Sequence, residues 1–217
     1  MITDHQLQRD VLDELKFEPR VDAAHIGVVA KDGVVTLTGF VTSYAEKFAA
    51  EAAARRVKGV QAIAEEIDVR LPSDKKQADD EIAERALRIF HWDELVPDDR
   101  IAVMVEKGMV TLTGTVDWQY QKSEAEYDIR KLSGVLAVIN QLQVKSPTAA
   151  AEVKDQIERA LRRSAQLEAS RIRVEASGGS VTLKGKVHDW FERDLIERAA
   201  WSVPGVTEVH DRLRIES

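Results

Sequence analysis

The stretch Asp32-Gly33-Val34-Val35-Thr36-Leu37-Thr38-Gly39 decides the fold, because the chain contains three versions of it. It returns as Lys107-Gly108-Met109-Val110-Thr111-Leu112-Thr113-Gly114 and as Gly178-Gly179-Ser180-Val181-Thr182-Leu183-Lys184-Gly185. The three final glycines are 75 and then 71 residues apart. Self-similarity at such a period indicates repeated structural units. The 217-residue chain is therefore predicted to consist of three tandem modules.

A second landmark follows each copy at a constant distance. A Gly-Val pair stands 20 residues after each final glycine, as Gly59-Val60, Gly134-Val135 and Gly205-Val206. Polar segments that contain proline separate the copies, as short linkers do. We therefore place the modules at residues 1–71, 78–145 and 149–217.

The order of elements within a module follows from hydrophobic periodicity. Apolar residues three to four positions apart predict a first helix in each copy. These residues are Leu7, Val11 and Leu15; then Ile82, Ala86, Leu87 and Phe90; then Val153, Ile157 and Leu161. Alternating residues and a tight glycine turn predict a β-hairpin next, and a further alternating stretch after each Gly-Val pair predicts a third strand.

A second helix is predicted between the hairpin and the third strand, beginning near Ser43, Asp117 and Asp189 and ending at the Gly-Val glycine. Ser43 with Glu46, and Asp189 with Glu192, have the spacing of a capping box. The predicted fold class is α+β, with three tandem αββαβ modules. Each module is expected to be a three-stranded sheet with two helices packed on one face, and we expect the open face to be that of an antiparallel sheet.

Composition narrows the functional classes. The net charge is −7, and the last third of the chain is balanced whereas the first two thirds are acidic. The absence of cysteine excludes disulfides and thiolate chemistry. There is no basic start followed by an apolar run, and no apolar run approaches the ~20 residues of a membrane span. We expect a cytoplasmic protein without a transmembrane segment, with peripheral association with a membrane as an alternative.

No catalytic constellation is visible in the sequence. The five histidines lack metal-binding spacing, and the Gly178-Gly179 pair lies at a hairpin tip rather than between a strand and a helix. A nucleophile elbow is also missing. We predict no catalytic residues, no metal site and no cofactor, which favours a binding protein over an enzyme.

The open sheet faces differ between the copies. In the third copy, alternation places six basic residues on the open face: Arg171, Arg173, Lys184, Lys186, Arg212 and Arg214. One interpretation is that they only solvate an exposed sheet. The other is an anion-binding surface for anionic phospholipid or an acidic protein partner, including one of the acidic modules. The negative net charge and the lack of aromatic residues on this face argue against nucleic acid.

The corresponding faces of the first two copies are more apolar. Val29, Phe40, Met104 and Ile139 are candidates for burial against one another or across a homo-oligomer interface, because exposed apolar patches usually mark contacts. Trp92, just beyond the first helix of the second copy, is a candidate for lipid or partner contact.

Three other tryptophans are placed by the pattern on the second helices. Trp118 and Trp190 follow the predicted caps, where they either pack or contact a partner. Trp201 is expected to cover the core.

These motifs resemble the BON domain (bacterial OsmY and nodulation). The resemblance lies in the Gly-x-Val-x-Leu-x-Gly-x-Val pattern, the Gly-Val pair and the strand Val138-Ile139-Asn140-Gln141-Leu142-Gln143-Val144, whose asparagine is replaced by Glu65 and Asp211 in the other copies. The resemblance implies that the chain is similar to bacterial proteins of the osmotic-stress response and that it binds phospholipid membranes. We expect a non-enzymatic, stress-associated binding or adaptor protein for anionic lipid or a protein partner. A potassium or other small-ion sensor and a chaperone-like scaffold are the alternatives.

Overall fold

The computed structural model describes residues 2–145, 153–163 and 171–215. The helices are α1 (Asp4–Phe17), α2 (Tyr44–Arg56), α3 (Asp79–Trp92), α4 (Gln119–Arg130), α5 (Val153–Arg163) and α6 (Trp190–Trp201). The strands are β1 (Ile26–Lys31), β2 (Val34–Val41), β3 (Ala62–Val69), β4 (Ile101–Glu106), β5 (Met109–Val116), β6 (Ala137–Asn140), β7 (Gln143–Val144), β8 (Ile172–Ser177), β9 (Ser180–Val187) and β10 (Glu208–Ile215). Each module has the order α-β-β-α-β, which confirms the predicted α+β class.

Each sheet is mixed, not antiparallel as expected. The second strand of each module lies in the centre, antiparallel to the first strand and parallel to the third. The reason is that the second helix carries the chain back along the sheet before the third strand begins, as parallel pairing requires. In the second module the third strand is split into β6 and β7, which both pair with β5.

The last glycine of the repeated stretch is required by a close backbone approach. Gly39, Gly114 and Gly185 have φ values of +116°, +131° and +149°. A Cβ atom on Gly39 would lie 2.0 Å from the carbonyl oxygen of His25, and one on Gly114 would lie 2.1 Å from that of Arg100. Any side chain would therefore force the first and second strands apart.

Each module has a core of its own, built from the inner face of the sheet and one face of each helix. In the first module α1 contributes Leu7, Val11 and Leu15, which pack with the strand residues Val35 and Leu37. The other two cores repeat this pattern. Leu87, which we predicted to be on the buried face of α3, is exposed. Its neighbour Ala86 points inward, and successive helical residues are ~100° apart around the axis.

A carboxylate or amide side chain in the first turn of each second helix holds the start of that helix. The Glu46 carboxylate accepts hydrogen bonds from the backbone N–H groups of Asp22 and Thr42, both at 2.9 Å. Gln121 and Glu192 occupy the same repeat position and accept from the residues before their own helices. In the two predicted capping boxes, Glu46 and Glu192 therefore accept from the residue before the N-cap and not from the N-cap residue itself. The helices also end earlier than predicted, at Arg56, Arg130 and Trp201.

The second helices of the three modules contact one another head to tail. At the end of α4 the Arg130 guanidinium lies 3.7 Å from the centre of the Phe48 ring in α2. At the end of α2 the Arg55 guanidinium lies 4.9 Å from the centre of a Trp190 ring in α6. The Trp190 indole N–H also donates to the Val60 carbonyl at 3.0 Å.

The third contact closes this set into a cycle. Trp201, at the end of α6, packs against the cores of both the second and the third module. Arg55, Arg130 and Trp201 all stand four residues before the glycine of the Gly-Val pair, so they are the same repeat position. The first module reaches the third, the second reaches the first, and the third reaches the second. The described modules therefore form a pseudo-three-fold arrangement with their second helices at the junctions.

Candidate binding surfaces

The basic face of the third module consists of Arg171, Arg173, Lys184, Lys186, Arg212 and Arg214. Strand register brings these residues together in two adjacent rows. Lys184 on the central strand β9 pairs with Arg173 on one side and with Arg212 on the other. In the next row Lys186 pairs with Arg214, and Arg171 lies beside it, one residue before β8 begins. Directly paired residues on one face lie about 5 Å apart.

Within the described ranges, neighbouring acids neutralise the basic face only in part. Lys184 makes an ion pair of 2.6 Å with Glu175, and this hydrogen bond lowers the pKa of the Glu175 carboxyl, with Arg173 and Arg212 adding to the effect. Arg173, Arg212 and Arg214 are exposed, and none of them makes an ion pair with a residue in the described ranges. The structure thus leaves a positive surface open to an anion.

The open sheet faces of the first two modules carry exposed apolar side chains. Val29 is 60% exposed and Met104 is 61% exposed, and Ile139 pairs with Thr111 beside Met104. The two open faces therefore do not cover each other within one chain. An oligomer interface at Val29, Met104 and Ile139 stays a prediction.

Phe40 and Trp92, the two aromatic interface candidates, are in different environments. Phe40 is half-buried, because His25 lies with its ring centre 4.5 Å away and the Arg70 guanidinium covers the ring at 4.5 Å. Trp92 is 84% exposed at the end of α3. Phe17 is the residue of α1 that aligns with Trp92, and it is equally exposed. We missed this second exposed aromatic residue, which an alignment of the repeats places at the same position as Trp92.

Trp118 is the N-cap residue of α4, so the prediction that Asp117 lies at this position is wrong. Asp117 instead forms a two-pronged ion pair with Arg100, with both N–O distances at 2.9 Å. The pair lowers the pKa of the Asp117 carboxyl through its hydrogen bonds with Arg100. Gln121, and not Asp117, stabilises the start of the helix, because its side-chain oxygen accepts from the Trp118 backbone N–H.

The polar residue in the third strand of each module serves one structural purpose. Asn140, Glu65 and Asp211 each accept the backbone N–H of the residue two positions further on. Glu65 also pairs with Lys47 at 2.8 Å, and Asp211 with Arg193 at 2.5 Å. These side chains tie the third strand to the second helix, which explains how three different residues occupy one motif position.

One carboxyl group away from these surfaces is unusual. Asp128 of α4 is buried, and burial raises the pKa of its carboxyl although Lys131 donates to one oxygen at 2.8 Å. Elsewhere in the described ranges no group of three or more histidine or acidic side chains is arranged to hold a metal ion. None of the helices in these ranges has the length and apolar character needed to cross a bilayer.

Comparison with known proteins places the repeats in a family. Residues 3–70, 78–146 and 149–217 each match the family model of the BON domain. Osmotically-inducible protein Y of Escherichia coli (strain K12) is 34% identical over 129 residues, which are 58% of this chain and 64% of that protein. The match therefore spans less than two thirds of that relative.

Solved structures of CdsD, a structural protein of the type III secretion system of Chlamydia trachomatis, align with 13% identity and TM-scores of 0.28 and 0.27. The first alignment covers 100% of both chains, and the second covers 96% of this chain and 91% of CdsD. At these scores the similarity does not bear on function.

Proposed function

Because the chain belongs to the BON-domain family, with one domain in each module, we propose that it is a non-enzymatic binding protein whose basic face engages anionic phospholipid. The similarity to an osmotically inducible protein supports a role in the response to osmotic stress. The basic face carries the lipid proposal. Five of its six cations occupy positions at which the other two modules have no lysine or arginine, so the fold does not require cations there.

The shape and charge of the basic face suit a headgroup layer. The six cations lie on one side of a three-stranded sheet, so several of them can approach a flat anionic surface together. Each Lys or Arg near such a surface contributes about 1 kcal/mol, and the contribution falls off within a Debye length of ~8 Å at physiological salt. Binding through this face is therefore expected to be strong at low salt and weak at high salt.

Cosedimentation with lipid vesicles tests the proposal. The wild-type chain is expected to bind vesicles that contain phosphatidylserine, to release them at high salt and to ignore vesicles of phosphatidylcholine alone. Arg212→Glu/Arg214→Glu removes two attractions and adds two repulsions. The loss should exceed about 2 kcal/mol, or about thirtyfold in affinity.

A matched control changes the same charge elsewhere. Lys75→Glu/Lys76→Glu alters two exposed lysines of the first linker and should leave vesicle binding within about twofold of wild type. Equal losses in the two double variants would reduce the effect to net charge and contradict the assignment to the basic face. Absence of binding to phosphatidylserine vesicles at low salt would exclude lipid and leave an acidic protein as the partner of this face.

A further inference from the structure

A groove lies at one of the three junctions, between the start of α4 and the end of α6. We name it the junction groove, and it has a volume of about 920 Å³. Its lining combines aromatic and acidic side chains: Trp118, Tyr120, Glu124, Asp194, Glu197 and Trp201. A cleft of ~300–1,000 Å³ is the size in which proteins hold small molecules.

The other two junctions show what this position of the fold accommodates. At each of them an arginine from the end of one second helix lies on an aromatic ring of the next module. Arg55 lies over Trp190, and Arg130 lies over Phe48. The ring face attracts the planar guanidinium by its negative potential. A cation on an aromatic ring is therefore a recurring part of the junction.

The third junction has the rings but lacks the arginine. Trp201 stands at the repeat position of Arg55 and Arg130, and in the described part of the chain no lysine or arginine lies over the rings of Trp118, Tyr120 or Trp201. Trp201 takes the place of the arginine, and the groove is the space left open beside it, between α4 and α6.

The charge of the junction groove is also uncompensated. Glu124, Asp194 and Glu197 form no ion pair with any residue in the described ranges, and Glu197 accepts only a long hydrogen bond of 3.4 Å from the Trp201 indole. Among the described residues of the lining Arg198 is the one basic residue; it is exposed, and its Nε donates to the backbone carbonyl of Asp194. Three carboxylates against one guanidinium leave the groove acidic.

We propose that the junction groove binds a small organic cation that carries a guanidinium group. The guanidinium stacks on the exposed Tyr120 ring and the half-buried Trp118 ring, as the chain's own arginines do on rings at the other junctions. Glu124 and Asp194, on opposite walls, accept hydrogen bonds from its edge, because a guanidinium presents its donors in a plane that suits carboxylates. This site is separate from the basic face, which attracts charge of the opposite sign.

Titration with agmatine, which bears one guanidinium and one ammonium group, tests the proposal. Backbone amide shifts in the NMR spectrum of the full chain are expected to move along α4 and the end of α6, with a dissociation constant of about 1 mM or lower. Putrescine has the same aliphatic body with two ammonium groups and is expected to bind at least about fivefold more weakly, because it lacks the planar donor set. Sodium and potassium chloride at equal ionic strength should produce no such shifts.

Two sets of variants locate the binding. Glu124→Gln/Asp194→Asn keeps the side-chain shapes and should weaken agmatine at least about tenfold, and Tyr120→Ala about threefold. Tyr127→Ala on the same helix is the control, because Tyr127 lies outside the groove and contacts Lys131 instead. Trp201→Arg restores the residue of the other two copies and should abolish agmatine binding if the variant folds.

Three outcomes would overturn the proposal of a guanidinium site in the junction groove. Unchanged affinity in the Glu124→Gln/Asp194→Asn variant would remove the site from the groove. Equal binding of putrescine and agmatine would refute recognition of guanidinium, and equal shifts with simple salts would show a general ionic effect. None of these outcomes affects the lipid proposal, which rests on the third sheet.

Discussion

Trp190 offers the sharpest test of the closed arrangement of modules. Its indole N–H donates to the Val60 carbonyl of the first module, and Arg55 of that module stacks on the ring. Trp190→Phe keeps most of the apolar contact but removes the donor. Val60 is buried, so its carbonyl would lose a partner at a cost of about 1–3 kcal/mol. Weaker stacking of Arg55 adds a few tenths of a kcal/mol, up to about 1 kcal/mol.

The expected loss is about 2 kcal/mol, which corresponds to about 4–8 °C in the midpoint of thermal unfolding for a chain of this size. Circular dichroism or calorimetry measures it. Trp92→Phe is the matched control: Trp92 is 84% exposed, so the same chemical change should shift the midpoint by less than about 1 °C.

A double-mutant cycle then isolates the contact between modules. Arg55→Leu alone and together with Trp190→Phe should reveal a coupling of about 0.5–1 kcal/mol, since the two side chains touch although 135 residues separate them in the chain. If Trp190→Phe were as mild as Trp92→Phe, and the cycle additive, the first and third modules would not be in contact and the cyclic arrangement would be refuted.

Two further predictions concern electrostatics and assembly. Hydrogen bonds from Arg20 and then Arg56 lower the pKa of the Glu18 carboxyl from 4.5 to about 2. The stabilisation of the fold by the ionised Glu18 carboxylate is therefore present above pH 4.5 and is lost as the pH falls from 4.5 to about 2. Because Arg20 and Arg56 are largely exposed, Glu18→Gln should cost only about 1–2 kcal/mol at pH 7, and the difference from wild type should disappear near pH 2 in urea unfolding curves; a constant difference would contradict the assignment. If chains associate through the apolar open faces, Met104→Asp should weaken association at least about tenfold in light scattering, whereas Met104→Leu should not; the same mass for wild type and Met104→Asp at every concentration would exclude Met104 from an interface.

The module fold was predictable from the sequence because its determinants are local. Gly39 and its two counterparts mark a close approach of strands, and the apolar spacing in α1 marks the buried face of a helix. Leu87 was assigned to the wrong face because it is apolar and adjacent to Ala86. The spacing of apolar residues along α3 therefore did not distinguish the exposed Leu87 from the buried Ala86. The mixed sheet was missed because alternation along a strand contains no information about the direction of its neighbour.

The basic face was predictable for a similar reason. Once the inward residues of β8, β9 and β10 are known, alternation assigns the others to the open side, and strand pairing only adds which of them are neighbours. Its ligand was not predictable, because a row of cations has the same alternating pattern whether it faces water or lipid.

The junctions could not be predicted, because they depend on contacts between modules. Arg55, Arg130 and Trp201 look unrelated along the chain, and only the repeat alignment shows that they share one position. A change of residue at that position alters what the junction contains. The open sheet faces vary in the same way, since side chains there contribute little to folding. The third copy departs from the others at both kinds of position, with cations at Arg173, Lys184 and Arg212 and with Trp201 in place of an arginine. Tandem repetition thus supplies three equivalent scaffolds, and both binding proposals rest on positions at which the third copy deviates from the other two.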